Sequence, residues 1–157
     1  MAITWQRQKV KECWITAFAM VTGKTVEDLH VEFTELAGMT YHEAKAKVGT
    51  LIWWNTVNIM HKRYNLCGEP GGTFAKAVLD TPTMDGLRTK RYLTRTLLHG
   101  KGLLGIHLIG KWAHAVAFED GMILDPEIEG RMTLATFKRV YRLNRPYTWR
   151  IDRVVAN

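Results

Sequence analysis

"KVKECWITAFAMVTGK", residues 9–24, passes from charged to almost wholly apolar at Cys13. The apolar run 13–22 is interrupted mainly by Thr16, and Gly23 is placed to end it as a left-handed cap. A helix that is apolar on nearly every side belongs at the centre of a fold. Cys13 therefore opens a central helix. Taken alone it reads as the first core residue of that helix, because a free cysteine commonly behaves as a small hydrophobe. A nucleophilic cysteine needs more: a lowered thiol pKa, a base within reach and a group that orients the base. The helix N-terminus supplies part of the first requirement, with help from Lys9 and Lys11 and opposition from Glu12.

Outward from this helix, residues 25–38 open with a capping pattern at Thr25 and Asp28 and carry Leu29, Phe33 and Leu36 on one face. "TYHE" (40–43) repeats the capping signal. Leu51, Trp54, Val57, Met60 and Tyr64 mark an amphipathic helix of about four turns; Trp53, beside that stripe, reads as core packing ahead of an edge, a groove wall or an interface. "GEPGG" (68–72) breaks the chain, 73–79 reads as a short helix, 80–86 as a loop and 89–100 as a basic amphipathic helix closed by Gly100. The periodicity then changes. Residues 102–109, 112–118, 122–125 and 148–155 read as strands, with a helix at 134–143. Asp120-Gly121 between two apolar runs signals a hairpin. Helices first and a mostly antiparallel sheet afterwards predict an α+β domain spanning 1–157.

The hairpin supplies what Cys13 lacks. In "HAVAFEDGMILDP" (114–126), folding about the Asp-Gly turn returns Asp125 to the level of residues 114–116. There its carboxylate can orient the His114 imidazole and raise its basicity. Cys13, His114 and Asp125 are the candidate catalytic residues.

With these residues in view, the chain resembles the papain-like cysteine peptidases, closest to the bacteriocin-processing, C39-like branch and its short phage-encoded relatives. That branch carries C-x-x-[AT]-[AS]-x-A-M at the nucleophile, which "CWITAFAM" matches at Thr16, Ala17, Ala19 and Met20. It also carries His, a run of small apolar residues, an acidic-glycine turn and Asp-Pro. The resemblance covers both ends of the chain well and the middle only in helix content. It implies a papain-like fold with the nucleophile helix packed on the C-terminal sheet, and hydrolysis of a peptide, isopeptide or related acyl bond. The family places an oxyanion-hole Gln six residues before the Cys. Here Gln8 lies five before and Gln6 seven before, and Gln8 is the first choice. Trp14 stands where the family has glycine.

Bulk composition adds bounds. The chain has 157 residues, a net charge of +7 and two cysteines, Cys13 and Cys67, expected to be reduced. No run approaches a membrane span, and the N-terminus lacks a signal-peptide order, so a cytoplasmic location is expected, in the host if the chain is phage-encoded. The charge favours an acidic peptide or protein as substrate. Basic runs at 88–101 and at Arg139, Arg142, Arg145, Arg150 and Arg153 leave nucleic acid open as a partner, without a recognised binding motif. A binding protein or phage-type inhibitor that keeps a vestigial triad is the other alternative. His61 and Cys67 lack metal spacing, and His30, His42, His99 and His107 read as structural or exposed. Neither metal nor cofactor is expected, and oligomeric state is left open.

Overall fold

The computed structural model describes residues 2–46, 51–69, 93–108, 112–143 and 147–155. The chain is α+β, with helices gathered in the N-terminal half and an antiparallel sheet built mostly from the C-terminal half. Helices α1 (Cys13–Thr22), α2 (Val26–Ala37), α3 (Tyr41–Ala46) and α4 (Ile52–Arg63) come first. Strands β1 (Leu66–Glu69), β2 (Lys101–Leu108), β3 (Trp112–Glu119), β4 (Met122–Leu124), β5 (Arg131–Thr133) and β6 (Tyr147–Val154) follow, with α5 (Leu134–Val140) before the last. The sheet order is β1-β6-β2-β3-β4-β5, and every neighbouring pair is antiparallel. Among the described residues, no helix is long and apolar enough to cross a membrane.

Local chemistry explains the helix ends. Gly23 and Gly38 both adopt φ 74°, the left-handed conformation that glycine takes without a Cβ penalty, and their N–H groups return to Ala19 and Thr34. The Thr25 hydroxyl accepts from the Asp28 N–H at 3.0 Å. Thr40 and Glu43 form a reciprocal capping box, each backbone N–H donating to the other's side chain at 3.2 Å.

The sheet is covered on both faces. On one, Leu103, Ala115, Ala117 and Leu124 meet α1, whose residues 14–21 are all buried. On the other, Leu104, Ile106, Val116, Phe118 and Ile123 meet Phe137 of α5. Strand β3 thus alternates small and large side chains, and the alanines let the bulky α1 lie close. Between β3 and β4, Asp120 (φ 49°) and Gly121 (φ 84°) form the two-residue turn, both with the positive φ that a type I′ hairpin needs.

Several expectations are corrected. Among the described residues of the 89–100 segment there is only a 3-10 turn, Arg95–Leu98. The Arg153 guanidinium donates to the carbonyls of Leu97 and His99, and the Leu98 and Gly100 carbonyls accept from the hairpin turn, so these groups serve tertiary contacts instead of a helix ladder. Helix α5 stops at Val140, short of 143, because Arg142 turns left-handed (φ 54°). On α4 Trp53 packs against the core as expected, but Trp54 stacks edge-on against Trp53 at 4.9 Å and Leu51, placed on the apolar stripe, is exposed. Strands β1 and β5 were not expected; both are short edge strands. The expected helix at 73–79 and loop at 80–86 lie outside the described residues.

Gly102 is set where β2 runs between β3 and β6. A Cβ there would sit 2.2 Å from the Asp152 carbonyl oxygen and 2.9 Å from Arg153 Cα. Gly102→Ala is predicted to destabilise the protein by at least about 2 kcal/mol, because backbone on the neighbouring strand must give way. Urea unfolding midpoints measure this, and an unchanged midpoint would contradict the β2–β6 register.

Candidate active site

Three separate segments converge at the start of α1. Cys13 is its first residue, His114 lies on β3, and Asp125 follows β4 directly. An N-terminal arm pulls the first and last together: the Gln8 N–H donates to the Pro126 carbonyl (2.9 Å), the Trp5 indole N–H to the Asp125 carbonyl (2.6 Å), and Arg7 to the Glu127 carbonyl (3.3 Å). The arm then reverses through a turn in which the Glu12 N–H reaches the Lys9 carbonyl at 3.1 Å, with Lys11 at φ 60°. That turn delivers Cys13 to the sheet.

His114 Nε2 lies 2.8 Å from Asp125 Oδ1, and both side chains are buried. His114 is also hydrogen-bonded to the Cys13 thiol. With Nε2 taken by Asp125, that bond falls to Nδ1. Asp125 is held from two more sides: the Glu127 N–H donates to Oδ1 at 2.9 Å, and the Tyr141 hydroxyl donates to Oδ2. The same hydroxyl stands 3.4 Å from His114 Nε2. No feature of the sequence around Tyr141 marks it for this role; it arrives because α5 packs over the hairpin.

The electrostatics follow from these contacts. Burial alone would push the Cys13 thiol up, but the hydrogen bond and charge of His114, then the Lys45 ammonium and the Ala115 N–H, hold it below its ordinary value. Burial alone would pull His114 down, yet Asp125 and Cys13 raise it to about 9. Burial of Asp125 is likewise outweighed by His114 and Tyr141, which keep its carboxyl low. The arrangement favours thiolate beside imidazolium. Glu12 does not oppose it as expected: its carboxylate pairs with His30 (3.2 Å) and His42 (2.8 Å). Lys45, on α3, is the cation that acts on the thiol, and the sequence reading did not single it out.

Above Cys13 and His114 opens a cleft of about 660 Å³, lined also by Arg7, Gln8, Lys9, Lys11, Lys45 and Glu127. Gln8 is the glutamine that lines it and Gln6 is not, the Gln6 backbone N–H donating to the Met20 sulfur. Among the described residues, Gln8 Oε1 is buried without a hydrogen-bond partner, and its Nε2 makes only a long 3.4 Å contact with Glu127. Trp14 leaves the cleft clear. Its indole stacks on Phe18 at 4.9 Å and donates to His61 Nε2 at 3.2 Å, inside the core. Two arginines of the C-terminal basic group are also taken inward: Arg150 is buried against Asp152, and Arg153 lies over Phe118.

The raised His114 value has a sign that can be checked. Its charged form is favoured by folding, so that contribution to stability is complete below about pH 6.5 and fades as pH rises through about 9. NMR titration of the His114 ring should give a midpoint near 9. A midpoint at the ordinary 6.5 would mean that Asp125 and Cys13 do no more than offset burial, and would contradict the raised value.

Compared with protein-family models, curated proteins and solved structures, the chain matches none.

Proposed function

We propose that this chain is a papain-like cysteine hydrolase that cleaves a peptide or isopeptide bond in acidic substrates. The observation that carries the reading is the buried Cys13–His114–Asp125 relay opening onto a cleft. The Cys13 thiolate attacks the acyl carbon, and the imidazolium of His114 gives its proton to the leaving nitrogen as the C–N bond breaks. This leaves a thioester on Cys13 and a neutral His114. The imidazole then takes a proton from water as the oxygen adds to the thioester carbon. Breaking the C–S bond releases the acid and restores the thiolate–imidazolium pair. Asp125 touches neither substrate nor nucleophile; it holds Nε2 so that Nδ1 faces the sulfur.

The oxyanion requires donors aimed at the carbonyl oxygen. The Cys13 N–H, at the open end of α1, supplies one, since the first helical N–H groups have no intrahelical acceptor. The Gln8 amide supplies the other: it lines the cleft and is weakly tied, so its N–H can turn to the substrate. Arg7, Lys9, Lys11 and Lys45 at the cleft favour carboxylates near the scissile bond, against Glu127 alone of opposite sign. The chemistry uses no cofactor.

Hydrolysis of an acidic peptide panel, read by mass spectrometry, tests the proposal. Cys13→Ala should abolish cleavage, by at least about 10⁴-fold, as expected for loss of a member of a concerted unit. Gln8→Ala should cost about 10²–10³-fold with the fold intact. If neither wild type nor Cys13→Ala cleaves the panel while both bind it equally well, the chain is a binding protein that keeps the triad unused.

A further inference from the structure

A second group of chemistry-bearing side chains lies beside this site and takes no part in it. Glu12, the residue before Cys13, caps α1 by position, but its side chain makes no capping hydrogen bond. The carboxylate instead faces two imidazoles from two other helices: His30 of α2, with Nε2 3.2 Å from Oε1, and His42 of α3, with Nε2 2.8 Å from Oε2. The Glu12 side chain is only 8% exposed, and its ion pairs are with these two histidines. His30 and His42 are 28% and 50% exposed, so water reaches the far side of the group.

We propose that Glu12, His30 and His42 bind a divalent transition-metal ion of the Zn²⁺ type, at a site separate from the Cys13 thiol. The donor set is two imidazole nitrogens and one carboxylate, which suits Zn²⁺ and its neighbours and not Mg²⁺ or Ca²⁺, whose ligands are oxygens. The spacing suits it too. Tetrahedral Zn²⁺ with bonds of ~2.0–2.1 Å holds its ligand atoms about 3.3 Å apart, against N···O separations of 3.2 and 2.8 Å here. All three ligand atoms fall within 4.8 Å of one another. The half-exposed side leaves solvent to complete the coordination. The ion would take the Nε2 positions on both imidazoles, whose protons pass to Nδ1 or to solvent, neutralise a buried carboxylate, and clip the first turn of α1 to α2 and α3. It would thereby fix the backbone that presents Cys13. Positions 12, 30 and 42 form no sequence motif, since each ligand comes from a different element.

The test is Zn²⁺ titration of chelator-treated full-length protein by calorimetry, with Co²⁺ absorption as a second readout. Wild type should take up one equivalent and melt at a temperature that rises with Zn²⁺ concentration. His42→Ala, at a half-exposed position that packing does not decide, should lower affinity by at least about 100-fold. Losing only an outer-shell partner already costs about 10–100-fold. His30→Ala and Glu12→Gln should do the same. Bound Co²⁺ should show no thiolate charge-transfer band, and a Cys13→Ser/Cys67→Ser variant should keep the full stoichiometry. No uptake, equal affinity in wild type and His42→Ala, or binding lost with the cysteines would each overturn the proposal.

Discussion

One buried imidazole organises the site. His114 is held between the Asp125 carboxylate and the Cys13 thiol in surroundings that exclude most water. Burial works against every charge in this chain of contacts, so the charged forms persist only because each partner supports the next. The fold is arranged to permit that. A tight turn at Asp120-Gly121 returns Asp125 alongside β3, the N-terminal arm binds the 125–127 backbone, and α5 brings the Tyr141 hydroxyl to the second carboxylate oxygen. Each acts on the relay without touching the sulfur.

The sheet provides the rigid part of this arrangement and the arm the adjustable part. Small side chains at Ala115 and Ala117 let α1 lie directly on β3, which brings its first turn beside His114. The bulk of Trp14 is absorbed by Phe18, Tyr41 and His61 instead of crowding the nucleophile. Four basic residues line the open cleft together with the thiol, and one of them, Lys45, acts on it directly. Glu12, which would otherwise raise the thiol pKa, has its charge occupied by His30 and His42.

Much of this was legible in the residues, for identifiable reasons. The all-apolar run after Cys13 has no stable place except the centre of a core, and Asp-Gly between two apolar strands has few conformations open to it. Those two signals bring Cys13, His114 and Asp125 within range. The missed features are those whose cause is tertiary. Strand β1 exists because β6 offers it an edge, and the 95–98 segment is a turn because Arg153 and the hairpin claim its carbonyls. Lys11 adopts a left-handed φ with no glycine to announce it. Trp54 borders the stripe it was expected to fill because a helical stripe is about a third of the surface wide and two adjacent tryptophans can each border it. Tyr141 and Lys45 act across long sequence separations, where periodicity carries no information.

Activation of the Cys13 thiol by His114 can be tested within one molecule, because the two cysteines provide an internal comparison. Cys67 is exposed and Cys13 is half-buried, so access alone would have Cys67 react first. Intact-mass and peptide mapping after brief treatment with a mild alkylating agent at pH 7 measures both rates in one sample. Activation predicts that Cys13 is labelled faster despite its burial, and that His114→Ala reverses the order while the fold persists. Faster labelling of Cys67 in the wild-type protein would contradict the account.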